Sequence, residues 1–552
     1  MLACFGLPPQ AQAQTNTAYG NGALVSLTSG IWNSGFGFEA LNHDTAGKNN
    51  TATGLRSLFS DTSGSYNTAN GVYALYGNIN GWYNNAAGAY SLANNIEGDA
   101  NTATGYGALY RNTASHNTAT GYAALYSNTT GSANTANGAS ALFSNMTGNA
   151  NTASGYHALQ ANTGDSNTAI GANALVSNTS GIENTAAGRG ALSSNIDGAY
   201  NSAFGRGALT SNTHGDDNTA IGDSALFSNT ADGNTAVGYE SLQDNTTGFS
   251  NTATGEQALL RNTGGSDNTA NGLQALRQNN GGNANTAIGS LALQQNTEGF
   301  GNVAVGAAAL FGNTTAESNT AVGRAALQNI TTGSNNTAIG DSAGLAQNAG
   351  NGNVYIGQGI QGLDGENDTC RIRSIFGQTA ASGSAVFISS GNKLGTVTSS
   401  KRFKEEIKPM DKASEALLGL RPVSFRYKKQ IDPEGIPQFG LVAEEVEKVN
   451  PDLVVRDKEG KPSSVRYDEV NAMLLNEFLK EHRKVEEQQV RITELNSRVA
   501  KQEALAAQQE KSFQSKLAEQ DKQIEALTSG LEKVSAQLEM TKSAPQVVSN
   551  NP

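Results

Sequence analysis

Over its first two-thirds the chain keeps its apolar residues neither at the 3.6-residue spacing of a helix nor in the alternation of a long strand. They return every 17 residues instead. The anchor is Asn-Thr-Ala-x-Gly, as in NTATG, NTAIG and NTAVG, and its Asn recurs in 21 copies from Asn16 to Asn353. Every step is 17 residues except three of 16. The ninth position is Leu in the first 19 copies, Leu24 to Leu327, and the twelfth is Asn in 15 consecutive copies, Asn78 to Asn313. By composition alone such an Asn- and Gly-rich segment reads as a disordered linker. A linker, however, has no physical reason to hold one apolar residue in register.

The period therefore predicts a β-solenoid over residues 16–357, each repeat forming one rung of two short strands joined by Gly turns. Stacked rungs align identical residues. Leu and Ala then form an internal column, and the two Asn positions form side-chain amide ladders. The 16-residue steps shorten only the Gly-rich turn. No proline occurs between Pro9 and Pro409, as expected where every rung donates hydrogen bonds to its neighbours. At roughly 4.8 Å per rung the rod is on the order of 100 Å long. One Leu per rung is a thin core, so burial of a second face against identical copies is expected.

Beyond the repeats the pattern changes twice. Residues 358–398 alternate like short strands with Gly turns and read as a β neck. Then DKASEALLGL carries helix formers, RPVSFRYKK reads as a strand, PQFGLVAEEVEKVNP as a strand leading into a helix, and SSVRYDEVNAMLLNEFLKEH opens a long helix. Phe478, Val485, Ile492 and Val499 follow at seven-residue spacing, with Leu495 on the neighbouring core position. A second register runs through Phe513, Leu517, Ile524, Leu527, Leu531, Val534 and Leu538, and the Ala/Gln-rich AKQEALAAQQEKS between them marks a shift. These heptads predict a parallel coiled coil over 486–540, followed by a disordered tail over 541–552.

Charge sharpens the boundary. Of 552 residues with net charge −12, residues 1–398 hold 11 Lys/Arg and 22 Asp/Glu, whereas the remaining 154 hold 25 and 26. No basic patch with interleaved aromatics supports nucleic-acid binding, and no apolar run approaches the ~20 residues of a membrane span. Cys4 and Cys370 are too far apart in the chain to suggest a disulfide framework. The start, MLACFGLPPQAQAQ, resembles the back half of a secretory signal ending at Ala11-Gln12-Ala13, so residues 1–15 read as its remnant and the protein as extracellular or surface-bound. The five histidines show no metal-ligand spacing; neither a metal nor a cofactor is expected. Acidic turns such as Asp216-Asp217 read as solvated, and the many NTT and NTS triplets as repeat residues rather than glycosylation signals. The aromatic cluster Trp32, Phe36, Trp82 and Tyr83 is expected to cap or pack the first rungs.

At the boundary stands SSKRFKEEIKP, residues 399–409, with a serine and a lysine five residues apart. A serine hydroxyl is a weak nucleophile until a base takes its proton. A lysine serves as that base only as the neutral amine, which burial or nearby cations favour. Lys401, Arg402 and Lys408 are such cations close in sequence. By spacing alone Lys404 is equally one solvated lysine among many, and Ser399 a linker residue.

Four blocks in order, SSKRFKEEI, LRPVSFRYK, FGLVAEEVEKVNPDLV and VRYDEVNAMLLNEFLKEH, resemble the intramolecular chaperone auto-processing domain that ends phage endosialidase tailspikes and other fibres. The resemblance spans about residues 399–485. It implies a small α+β domain that trimerises the fibre ahead of it and then releases itself by one cut with a Ser–Lys dyad. On that resemblance Ser399 matches the nucleophile, Lys404 the base and Arg402 the family's basic position, with the cut at Thr398–Ser399. Ser400 stands where the family usually has Asp, and Glu444 where Gln is common. The repeats, in turn, look like the head repeats of trimeric autotransporter adhesins, whose units are shorter.

Together these readings predict a homotrimeric, tail-fibre-like adhesin: a mainly β solenoid rod, a small α+β chaperone domain and a coiled coil. It acts as a single-turnover serine endopeptidase on itself. A glycan or protein of a cell surface is the ligand class for the rod. The alternatives are a fibre that keeps its carboxy-terminal domain as a permanent trimeric foot, and a glycan-degrading tailspike, which requires paired carboxylates in a groove.

Overall fold

In the computed structural model, residues 16–376, 378, 384–389 and 391–540 are described, and the chain divides into two units, Met1–Gln378 and Thr379–Pro552. The expected signal remnant at 1–15 and the tail at 541–552 lie outside the described residues.

The first unit is a parallel β-solenoid. Twenty-two strands of three residues, from β1 (Thr17–Tyr19) to β22 (Cys370–Ile372), stack into one 22-stranded sheet. Register follows the repeat: Thr168 lies opposite Thr185 and Ala169 opposite Ala186. The sheet continues past residue 357, since β22 pairs in parallel with β21 (Val354–Ile356), so the segment read as a neck begins as a further rung.

Each rung holds one regular strand, not the two expected. On its other side the seventh and ninth positions take left-handed backbone angles, as in Tyr73 (φ 57°) and Leu75 (φ 51°), and bend the chain round as turns. Hydrogen bonding between rungs continues nevertheless. The Tyr73 N–H donates to the Leu55 carbonyl of the preceding rung and the Leu75 N–H to the Ser91 carbonyl of the following one, both at 2.9 Å. The turn side thus satisfies its amides along the stack without a second strand.

Inside run the expected columns. The Ala of each strand and the Ala-Leu pair on the turn side, such as Ala69, Ala74 and Leu75, are fully buried and form one continuous core. Both Asn ladders are present. Asn145, at the twelfth position, donates through Nδ2 to Asn128 Oδ1 and to the Gly148 carbonyl, each at 2.9 Å. Asn134, at the first position, donates to the same Gly148 carbonyl at 2.8 Å, and its Oδ1 accepts the Asn151 N–H at 2.9 Å. In the three short rungs the missing residue falls between Asn and that acceptor. Asn112, Asn162 and Asn229 donate instead to the carbonyls of Ala114, Gly164 and Ala231, two residues on, so the core register is untouched.

The fifth-position glycine is required twice over. Gly71 has φ 148°, and a Cβ there would meet the Gly88 carbonyl carbon and oxygen at 2.5 Å. At the far end Gly344 occupies the Leu position, and the buried Tyr355 ring fills the space. Its hydroxyl donates to Glu366 at 2.8 Å, and Glu366 pairs with Arg371 at 2.6 Å, which closes the last rungs with a satisfied polar cluster. The amino-end aromatics do not cap the core. Trp32, Phe36, Trp82 and Tyr83 are exposed, and Tyr83 stacks on Tyr66 at 4.9 Å along the outside of the rod.

The second unit is small. A hairpin of β23 (Val386–Ile388) and β24 (Leu394–Thr396) comes first. The DKASEALLG segment, Asp411–Gly419, forms a 3-10 helix. β25 (Val423–Phe425) pairs antiparallel with β26 (Gln438–Gly440), helix α1 covers Ala443–Val449, and β27 (Val454–Arg456) pairs with β28 (Pro462–Val465). Val446, Leu453, Val454, Val465, Val470 and Met473 make its core. Helix α2 (Tyr467–Glu539) is 73 residues long, and only Val470 and Met473 of it are buried. Its apolar heptad positions lie bare, from Phe478 to Leu538, consistent with a coiled coil.

Candidate active site

The boundary motif follows β24 and opens on a single turn of 3-10 helix, Lys401–Phe403, which Ser400 enters in extended conformation and Lys404 leaves in extended conformation. The Lys404 N–H donates to the Lys401 carbonyl at 3.1 Å and closes the turn. A tight turn between two extended residues brings positions five apart to the same side. Lys404 Nζ accordingly donates to Ser399 Oγ at 3.2 Å. The structure thus brings together, at hydrogen-bond distance, the two residues singled out from the sequence. Arg402 points elsewhere, its guanidinium 4.6 Å from the Phe403 ring centre. Thr398, Ser399, Ser400 and Lys404 are all exposed, as are Glu405 and Glu406 beside them. The bond between Thr398 and Ser399 therefore lies at an exposed position.

A second serine–lysine contact, which the sequence did not suggest, sits deeper. Ser414, fully buried on the 3-10 helix, donates to Glu477 Oε1 at 2.5 Å and accepts from Asn476 Nδ2 at 2.7 Å and from Lys480 Nζ at 3.3 Å. Lys480 also pairs with Glu477 at 2.7 Å. That hydrogen bond holds the Lys480 ammonium above the ordinary lysine range and the Glu477 carboxyl below its own. A lysine so held stays a cation and is no base; this cluster ties the 3-10 helix to α2. Ser414 and Lys480 are 66 residues apart, which is why no local pattern announced them. Two further ties hold the domain together. Arg421 grips Glu445 of α1 with two hydrogen bonds, at 2.6 and 3.1 Å, and the Tyr467 hydroxyl accepts the Leu441 N–H at 3.0 Å.

With these elements in place, the chain is a long β-solenoid followed by a small α+β module and a helix fit for a coiled coil. Residues 399–455 match the peptidase S74 family model, described as chaperone of endosialidase, and the match begins at Ser399 itself. No curated protein and no solved structure matches the chain. A chaperone of this family behind a β-solenoid fits a tail-fibre- or endosialidase-like protein; such chaperones act in trimerisation, and the family is one of self-cleaving peptidases. Among the described residues no helix is long and apolar enough to cross a membrane.

Proposed function

We propose that the chain is a trimeric, extracellular or virion-borne adhesin whose carboxy-terminal chaperone assembles three copies and then cuts itself free once. The observation that carries this reading is the 3.2 Å contact of Lys404 Nζ with Ser399 Oγ at the start of the family match. In the step we envisage, Lys404 as the neutral amine takes the Ser399 hydroxyl proton, and Oγ attacks the Thr398 carbonyl carbon. The Thr398–Ser399 C–N bond breaks, the proton passes to the leaving nitrogen, and the acyl group rests as an ester on Oγ. Water then hydrolyses the ester and leaves a carboxylate on Thr398 and a free amine on Ser399.

Exposure of the dyad in one chain gives the step its timing. Both residues are exposed in one chain, and in the step we envisage burial by neighbouring copies with their own Lys401, Arg402 and Lys408 brings about the neutral amine. Cutting thereby waits for assembly. The test is the intact mass of the purified chain and of Ser399→Ala. Two fragments that part at Thr398–Ser399, against one full-length variant, support the reading. Full-length mass in both proteins refutes the peptidase and leaves a permanent trimeric foot, the reading that Ser400 in place of the family's Asp favours.

A further inference from the structure

The outer face of the solenoid is not uniform. Each strand from β2 (Ser34–Phe36) to β21 buries its middle residue and turns the first and third outward, the third being the fourth position of the repeat; in β22 the middle residue, Arg371, is half-buried. From β3 (Thr51–Thr53) to β9 (Thr152–Ser154) that outward residue is Thr, Asn, Ala or Ser throughout. In the last six strands it is β-branched and apolar without exception: Ile288, Val305, Val322, Ile339, Ile356 and Ile372. These six stack in register, each directly over the next. Ile339 is 45 % exposed and Ile372 40 %. A shorter run, Ile170, Phe204, Ile221 and Val237, is interrupted by Ala187 and ends at Thr254 and Asn271.

Rung stacking does not need this column, because the small or polar residues of β3–β9 occupy the same place in the same register. We propose that the outward face of the last six strands is where copies of this chain touch one another; the proposal rests on the trimeric reading above. Three observations favour a copy over any other occupant. The first and third strand residues on this face are uncharged in all six rungs, so identical faces meet without repulsion. Parallel chains aligned by a parallel coiled coil bring the same rung to the same height, so each Ile meets its own counterpart. Finally, the patch is small: about 24 Å tall and about 7 Å wide, roughly 200 Å², against the ~800 Å² per partner of a free-standing interface. It works only between chains already tethered. Its place, in the rungs that precede the family's trimerisation domain in sequence, is where such a tether is nearest along the chain.

The experiment uses the full chain with Cys4→Ser, Cys370→Ser and Ser399→Ala, so that no native thiol competes and the domain stays attached. A single cysteine is placed on the outward column, either Ile339→Cys or, in the polar stretch, Thr120→Cys. After mild oxidation, Ile339→Cys is expected to form inter-chain disulfides at least about 10-fold more than Thr120→Cys. Equal yields at both sites, or none at Ile339→Cys in a particle of three-chain mass, overturn the proposed face while leaving the trimer standing. A single-chain mass by light scattering refutes the trimeric reading itself, and the face with it.

Discussion

In the solenoid a buried polar group such as Asn145 finds its partners inside its own chain: it donates to the rung before and accepts from Asn162 of the rung after. In the carboxy-terminal unit the accounts stay open. Ile524, Leu527 and Leu531 lie along one helix with more than half their surface bare, and Ser399 and Lys404 meet at an exposed position. The solenoid is a stack of nearest-neighbour contacts, each rung completed by the next. The carboxy-terminal unit holds only a core of a few residues and, on the function proposed above, is completed by other chains. On the proposed function the reactive chemistry belongs there, because a dyad that waits for assembly has to lie where assembly changes its surroundings.

The largest effect follows from breaking that dependence. Ile524→Asp with Leu531→Asp places carboxylates in the apolar seam, where burial of an unpaired charge is prohibitive, and the chain is expected to stay single. If assembly gates the dyad, self-cleavage falls by about 10²-fold or more, the scale of a lost general base, although Ser399 and Lys404 are untouched. Light scattering and intact mass read both outcomes on one sample. A single chain that still cuts itself at the wild-type rate shows the dyad to be sufficient and ends the argument from exposure.

Next comes a test of how self-contained the rod is. Gly71→Ala sets a Cβ against the Gly88 carbonyl at a backbone angle that L-residues avoid, for a cost of about 3 kcal/mol or more. Because contacts pass only between neighbouring rungs, hydrogen exchange is expected to rise in the rungs around residue 71 and to stay unchanged beyond residue 150. Gly264→Ala, in an open turn with only Thr247 Oγ1 near at 3.4 Å, serves as the control, within about 0.5 kcal/mol of wild type. Loosening of the whole rod by Gly71→Ala alone contradicts the nearest-neighbour picture.

Much of this was legible beforehand, and the reason is periodicity. A rung that repeats 21 times writes its core and its ladders into the sequence as fixed columns of Leu, Ala and Asn. Where the structure uses a position without fixing its residue, the pattern is silent. The sixteenth position carries a third ladder, in which the Trp82 N–H donates to Asp99 Oδ1 at 2.7 Å and the Asp99 N–H to Ser115 Oγ at 2.9 Å. Ser, Asp and Asn serve there alike, so the acidic turns that read as solvated are structural: Asp216 Oδ1 accepts the Ala199 N–H at 2.7 Å. The left-handed seventh and ninth positions were hidden for a different reason: Tyr, Glu, Gln and Leu announce no such conformation, even where Leu is fixed. Ser399 and Lys404 were visible through their setting in four ordered blocks. The Ser414 cluster needed the fold.

The smallest effect tests a flaw in the ladder. At the twelfth position the second and third rungs carry Asp44 and Asp61 in place of Asn, both fully buried. Asp61 still accepts from Asn78 at 2.9 Å but has no Nδ2 with which to reach back, and Asp44 Oδ2 is left without a partner. Burial raises Asp44 to about 6, and burial together with the neighbouring Asp44 charge raises Asp61 to about 8. Both values exceed those of the unfolded chain, near 4. Between about pH 4 and pH 8 the folded rungs therefore hold protons that the unfolded chain has released, and their stability falls as pH rises through that window. Asp61→Asn restores the donor toward Asp44 and keeps the acceptor for Asn78. It is expected to stabilise the second and third rungs by about 1–2 kcal/mol at pH 8, on the scale of a satisfied buried hydrogen bond, and to leave them nearly unchanged at pH 4. Hydrogen exchange of residues 44–64 at the two pH values measures this directly; a variant less stable than wild type at pH 8 would show that the carboxylate pair is held by something the ladder does not explain.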